Sequence, residues 1–198
     1  MTKWLSHRMV ERGIIKEEEQ ELYQFGIRNG MILLLNVVTA LVIGLLTEQL
    51  AVVAVFTLSF MVLRSYTGGY HSDSRIFCYL GSNLVLLVPV YTQAVFYKTS
   101  LAWLLAVLLV SAGIIFLLSP MHSKNRKLDK EEQKHFGRKA RLIAALELAV
   151  LGILWHAGQI PYAYAVYTGI CITALFMLIG KAQLWIQSLS LIHISEPT

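Results

Sequence analysis

The chain has 198 residues, of which 56% are hydrophobic and only 15% are charged, and its mean hydropathy is +0.60. Soluble domains carry roughly a quarter charged residues, so this composition excludes an ordinary soluble domain and indicates a membrane protein with several spans. The net charge of +5 comes from 17 Lys and Arg against 12 Asp and Glu, and membrane topology accounts for this excess without a nucleic-acid partner.

The first 25 residues predict an amphipathic helix at the membrane surface. The stretch MTKWLSHRMVERGIIKEEEQELYQF mixes charged and apolar side chains and lacks the apolar core of a cleavable signal peptide. Its apolar residues would face lipid or protein. A solvated helical arm remains the alternative interpretation.

Six apolar segments follow, several of them near the lower limit of the ~20 residues that a spanning helix needs. They lie at roughly 29–46, 50–66, 78–96, 101–119, 142–157 and 162–181. Between the fourth and fifth lies a strongly charged stretch, SPMHSKNRKLDKEEQKHFGRKARL, which we interpret as a loop. We therefore expect an all-α polytopic membrane protein with about six transmembrane helices and an N-terminal interfacial helix.

The last residues require separate treatment. The stretch SLSLIHISEPT resembles the translation of a sequencing-library adapter, so residues 188–198 are expected to be non-native. Residues 1–187 are expected to form one domain.

The distribution of basic residues predicts the orientation of the chain. With six spans, every one of the 17 Lys and Arg residues except Lys98 falls on the same side. Because basic loops stay in the cytoplasm, we expect the N-terminus and the connection between the second and third spans to be cytoplasmic. The same charges would attract anionic membrane lipids.

That second connection, GGYHSDSRIFC from Gly68 to Cys78, carries the residues best suited to chemistry. Cys78 is a candidate nucleophile, and His71 is a candidate base. Seven residues of continuous helix would separate the two side chains by about 10.5 Å, so the chain must break between them. The two consecutive glycines permit a sharp turn, and the residues Ser72, Asp73 and Ser74 are good N-caps for a third helix. Cys78 would then lie near a helix N-terminus, which favours the thiolate; a histidine and a structural cysteine that never meet is the alternative.

Five other polar or ionisable residues could serve the site or the structure. Asp73, Asn83 and Glu147 are open candidates for a third group that orients the imidazole. Arg64 is suited either to binding a substrate carboxylate or to anchoring the second span at the interface. Cys171 lies inside the sixth apolar segment and is expected to be a buried structural residue.

At these residues the sequence resembles the accessory gene regulator protein B (AgrB) family, over residues from about 5 to 187. The family pattern of an arginine, two glycines, a histidine and a later cysteine is read here as RSYTGGYHSDSRIFC. Arg64, Gly68, Gly69, His71 and Cys78 occupy the matching positions. The basic stretch after the fourth span also matches, although Leu128 stands after NRK where relatives commonly have a proline.

The resemblance implies a membrane cysteine endopeptidase of quorum sensing. Cys78 would attack a peptide bond of an AgrD-like precursor, His71 would act as general base and then acid, and an internal thiol or hydroxyl of the substrate would close a thiolactone or lactone ring. Substrate contacts would come from one set of residues: Arg64, Gly69, Lys124, Arg126, Lys127, Arg138 and Lys139. A homodimer is expected on the resemblance alone, and no metal or organic cofactor is implied. A small peptide transporter without peptidase activity is the alternative from another class.

Overall fold

The computed structural model describes residues 2–68, 75–121 and 129–194, with the backbone alone at 2, 29, 75–78, 130 and 187–194. All regular structure in these ranges is helical. The helices in chain order are α1 (Thr2–Glu11), α2 (Gln20–Leu46), α3 (Leu50–Thr67), α4 (Arg75–Tyr91), α5 (Gln93–Lys98), α6 (Leu101–Leu118), α7 (Lys130–His156) and α8 (Ile160–Ile194), and a short 3₁₀ turn (Glu17–Glu19) precedes α2.

Four of the described helices are long and apolar enough to cross a membrane. They are α2 with its preceding turn, α3, α6 and the Ile160–Ile186 part of α8. Helix α4 contains a shorter apolar stretch, Tyr79–Tyr91, and α7 joins a charged first part to an apolar second part. The prediction of an all-α polytopic membrane protein is confirmed.

Two predicted boundaries are wrong. The charged stretch between the fourth and fifth apolar segments is helical from Lys130 onward, because it consists largely of strong helix formers and has Glu131 and Glu132 in the first turn. The predicted third span is divided after Tyr91 into α4 and α5. Pro89, two residues before this division, lies inside α4 and removes one backbone donor from its last turn.

Helices α3 and α8 form the centre of the bundle. Helices α2 and α4 pack on one side of this pair, around a cluster that includes Ala40, Phe56 and Leu86. Helices α6 and α7 pack on the other side, around a cluster that includes Leu63, Ile115 and Met177. Outward-facing leucines such as Leu46 and Leu117 are about four-fifths exposed (80% and 83%), as expected of side chains that face lipid.

A polar contact ties the two central helices to α7. The Ser59 hydroxyl donates a hydrogen bond of 2.8 Å to Oε2 of Glu147, and Ser59 packs against Gly169, where a Cβ atom would lie 2.5 Å from its Oγ. Inside a membrane a carboxyl group needs such a partner, since no water is present to solvate it. The glycine at 169 therefore permits the close approach of α3 and α8.

The ends of the bundle differ in composition. Helices α3 and α6 end, and α4 and α7 begin, at the end that carries the basic connections, which we call the basic end. At the opposite end, Phe96 contacts the rings of Trp155, Tyr164 and Tyr167. This aromatic cluster packs α5 against α7 and α8.

Candidate active site at the basic end

The last residue of α3 and the glycine after it form a tightly fixed junction. Gly68 has φ +72° and ψ −151°, a conformation open almost solely to glycine. The Arg64 guanidinium donates from Nη1 to the Gly68 carbonyl at 2.9 Å and lies 5.0 Å from the ring centroid of Phe176 on α8. Arg64, a predicted substrate ligand, is therefore bound to the junction itself.

The connection after α6 closes the same junction from the other side. The backbone N–H of Met121 donates to the Thr67 carbonyl at 2.9 Å. A Cβ atom on Gly68 would lie 2.7 Å from the Met121 carbonyl oxygen, and one on Gly137 of α7 would lie 2.9 Å from Cδ of Pro120. The two connections and α7 therefore approach each other so closely that a side chain larger than hydrogen does not fit at Gly68 or Gly137. We call residues Thr67, Gly68, Met121 and Gly137 the glycine junction.

Cys78 lies among the first described residues of α4. The described part of this helix runs from Arg75 to Tyr91, so the Cys78 backbone is about 4.5 Å along the axis from the first described residue. The position of Cys78 in the first turn, beside a helix N-terminus, stays a prediction. His71, Gly69 and Asp73, together with the expected N-caps, lie outside the described residues, and their assignments stay predictions.

Helix α2 contributes polar groups beside this turn that the sequence analysis did not identify. Thr39 Oγ1 and Tyr79 Oη are 2.7 Å apart, which joins α2 to the residue after Cys78. One turn earlier on α2, the Asn36 side-chain oxygen is buried and has no hydrogen-bond partner within the described part of the chain. An asparagine in the middle of an apolar span was the signal that could have found it.

The described candidates for a third group differ in position. Asn83 lies on α4 itself, donates from Nδ2 to the Tyr79 carbonyl at 2.9 Å, and has a buried side-chain oxygen without a partner among the described residues. Glu147 is bonded to Ser59 between α3 and α7, whereas α4 packs with α2 against the other side of α3. Glu147 is thus separated from the α4 side of the bundle.

Basic residues line the first turns of α7. Arg138 and Lys139 are exposed, and Lys139 Nζ lies 5.9 Å from the ring centroid of Tyr66 at the end of α3. Arg141 donates from Nε to the Phe116 carbonyl of α6 at 3.1 Å. Lys124, Arg126 and Lys127 lie outside the described residues. Helix α7 therefore presents part of the predicted basic surface next to the glycine junction.

The second cysteine has different surroundings. Cys171 is half-buried in the middle of α8, and its thiol contacts the hydroxyl groups of Ser111 and Tyr167. In the described ranges, no group of three His, Cys, Asp or Glu side chains could hold a metal ion. The described site is thus a set of protein side chains and backbone groups at one end of a membrane bundle.

These features define an all-helical membrane protein with a cysteine among the first described residues of one helix, at the same end of the bundle as the glycine junction. The family model of Accessory gene regulator B matches residues 1–180, and the chain belongs to this family. The family takes part in accessory gene regulator quorum sensing, in which it has a processing role.

Two curated relatives from Clostridium perfringens are similar to the chain. An AgrB-like protein of strain SM101 is 23% identical over 148 residues, which cover 72% of this chain and 69% of the relative. AgrB-like protein 2 of strain 13 is 24% identical over 131 residues, which cover 63% of this chain and 61% of the relative. No solved structure matches the chain at a significant level.

Proposed function

We propose that this protein is a membrane-embedded cysteine endopeptidase that processes the precursor of a cyclic peptide signal. The observation that supports it most directly is the place of Cys78 among the first described residues of α4, at the end of the bundle where the glycine junction holds the end of α3. A helix N-terminus favours a thiolate, the reactive form of cysteine.

The proposed reaction has two steps. The Cys78 thiolate attacks the carbonyl carbon of a precursor peptide bond, the C–N bond breaks, and the His71 imidazolium gives its proton to the leaving amine. This leaves the N-terminal part of the precursor on Cys78 as a thioester. An internal thiol of the substrate, deprotonated by His71, then attacks the thioester carbonyl and displaces Cys78 as thiolate, which gives a thiolactone; an internal hydroxyl would give a lactone.

The second step exchanges one thioester for another, so water must be kept from the acyl-enzyme. A site at the boundary between membrane and water, with spans packed around it, is suited to this requirement. We place the site on the cytoplasmic side because all basic connections lie at the same end.

The substrate we propose is an AgrD-like precursor with an amphipathic N-terminal helix and an acidic C-terminal segment. Arg138 and Lys139 are exposed at the start of α7 and would attract the acidic segment together with Lys124, Arg126 and Lys127. Anionic lipids would bind the same basic end, and a homodimer is the proposed assembly. Gly69 is a further proposed substrate contact.

The test uses the full chain in lipid vesicles with a peptide that has an amphipathic N-terminal half, an internal cysteine and an acidic C-terminal segment. We expect wild type to release the acidic segment, and Cys78→Ser and His71→Ala to release none, while Cys171→Ser retains cleavage. Cleavage by Cys78→Ser would contradict the proposal. An intact peptide that nevertheless crosses the vesicle membrane would favour the transporter alternative.

A further inference from the structure

Helix α3 is followed by a glycine whose backbone conformation is unusual for the end of a helix. A glycine that ends a helix usually has φ and ψ both positive, and its N–H and the next one then bond back to the helix. Gly68 instead has φ +72° and ψ −151°. Glycine adopts this conformation without strain but can adopt many others, so the groups that bind the turn help to select it.

Groups of the described residues bind the carbonyl oxygens of this turn. Met121 N–H binds the Thr67 carbonyl, and Arg64 Nη1 binds the Gly68 carbonyl; the Thr67 hydroxyl lies at a longer 3.4 Å from the same Gly68 oxygen. The plane of the guanidinium is further restricted by the Phe176 ring. Arg64 therefore lies between an aromatic ring of α8 and the first carbonyl of the connection that carries the motif.

We propose that Arg64 is a positioning residue, which sets the direction in which the chain leaves α3 toward the motif histidine and does not bind a substrate carboxylate. This inference rests on the proposed function. If the guanidinium moved away to bind a carboxylate, the Gly68 carbonyl would lose this charged donor. Arg64 would therefore affect the chemical step indirectly, by fixing the backbone at the start of the connection between α3 and α4.

Lysine would not replace arginine in this role. An ammonium group is a compact charge without the planar fork that can bind a carbonyl and lie against an aromatic ring at the same time. A ligand for one exposed carboxylate, by contrast, would tolerate lysine better, since a point charge still attracts it. The two roles therefore predict different behaviour for Arg64→Lys.

The experiment compares Arg64→Gln and Arg64→Lys with the control Arg141→Gln in the full chain in vesicles. Arg141 binds the Phe116 carbonyl near the end of α6, so the control removes the same kind of bond at the same end of the bundle. Two readouts are used: kcat and KM for the peptide described above, and the rate of Cys78 alkylation by iodoacetamide against pH without peptide.

We expect Arg64→Gln to lower kcat about tenfold or more, the effect of losing one hydrogen bond from a charged donor, with KM changed by less than about twofold. Alkylation of Cys78 at neutral pH should slow toward the rate of His71→Ala, and its pH profile should move to higher pH. Arg64→Lys should behave like Arg64→Gln, and Arg141→Gln should behave like wild type.

A raised KM with unchanged kcat and unchanged alkylation would overturn the inference and identify Arg64 as a substrate ligand. Should Arg64→Gln fail to fold, Phe176→Leu removes the ring beside the guanidinium and its contact with Phe60 while leaving Arg64 in place. It should lower kcat less strongly with KM unchanged, and an unchanged kcat would count against the inference. Failure of the proposed function is distinguishable, because it would appear in wild type as cleavage that survives Cys78→Ser.

Discussion

The two cysteines of this chain occupy regions of opposite character. Cys78 lies among the first described residues of α4 at the basic end, while Cys171 lies in the middle of α8, where its thiol contacts the hydroxyl groups of Ser111 and Tyr167. We expect a helix N-terminus beside the first thiol, whereas the second lies within a packed helix of the bundle. The difference teaches that a thiol acquires reactivity from its place in the helix and from nearby donors, as the general chemistry of cysteine requires.

The comparison is tested most directly by thiol labelling. We expect iodoacetamide to label Cys78 at least about tenfold faster than Cys171 at neutral pH, because only Cys78 has a helix terminus to favour its thiolate. The measurement uses the single-thiol variants Cys171→Ser and Cys78→Ser in vesicles. Equal and slow labelling rates at the two positions would show that Cys78 is not activated and would contradict the difference between the two cysteines.

A second test acts on the glycine junction. Gly68→Ala would place a Cβ atom 2.7 Å from the Met121 carbonyl oxygen at a residue with φ +72°. We expect a loss of peptide cleavage of about tenfold or more, since a backbone distortion of this kind costs roughly 1–3 kcal/mol. Gly113→Ala on α6, where no atom lies within 4 Å, is the matched control. Full activity of Gly68→Ala would show that the junction does not fix the motif.

A substitution at the centre of the bundle should lower the stability of the protein without acting directly on the proposed reaction. Gly169→Ala, two residues before Cys171, would bring a Cβ atom to 2.5 Å from Ser59 Oγ and separate α3 from α8. We expect a stability loss of about 1–3 kcal/mol in a detergent unfolding assay and faster labelling of Cys171. Gly152→Ala has open space around it and serves as the control. Unchanged stability would mean that α3 and α8 can shift without cost.

The smallest effect is expected from the exposed basic surface of α7. Replacing Arg138 and Lys139 by glutamine should raise KM for the acidic peptide a few-fold and weaken its dependence on salt, because exposed charges act through a screened field. Lys98→Gln removes a charge at the opposite end and should leave KM unchanged. A KM that is insensitive to both charge and salt would mean that these residues serve topology alone.

The sequence predicted those parts of the fold that depend on one local property, such as the hydropathy of a segment. Apolar segments of the right length predicted the four candidate spanning helices of the described residues, while the N-caps expected at residues 72–74 lie outside the described part of the chain. The charged stretch before Arg141 misled the prediction, since charge was taken to indicate a loop. Helix α7 in fact begins at Lys130 and carries these charges on a helix that packs against Pro120 through Gly137.

The site was only partly predictable, because several of its contacts join residues that are far apart along the chain. The sequence predicts a role for Arg64 and Cys78 in the site, but nothing in it indicates that Arg64 reaches Gly68 and the ring of Phe176. Asn36 was missed because an isolated asparagine on α2 becomes relevant only when the contact between Thr39 and Tyr79 brings α2 beside the start of α4. Glu147 stays a predicted candidate for the third group, and its hydrogen bond to Ser59 between α3 and α7 is a contact that no local pattern indicates.

By itself the sequence determined that this chain is a bundle of membrane helices with a thiol near the start of one of them, because hydropathy, helix caps and glycines act locally. Only the tertiary structure decided which distant groups meet at the end of α3, because Met121, Gly137 and Phe176 come from segments far apart along the chain. Their contacts depend on how whole helices pack, and no local pattern of residues specifies that packing.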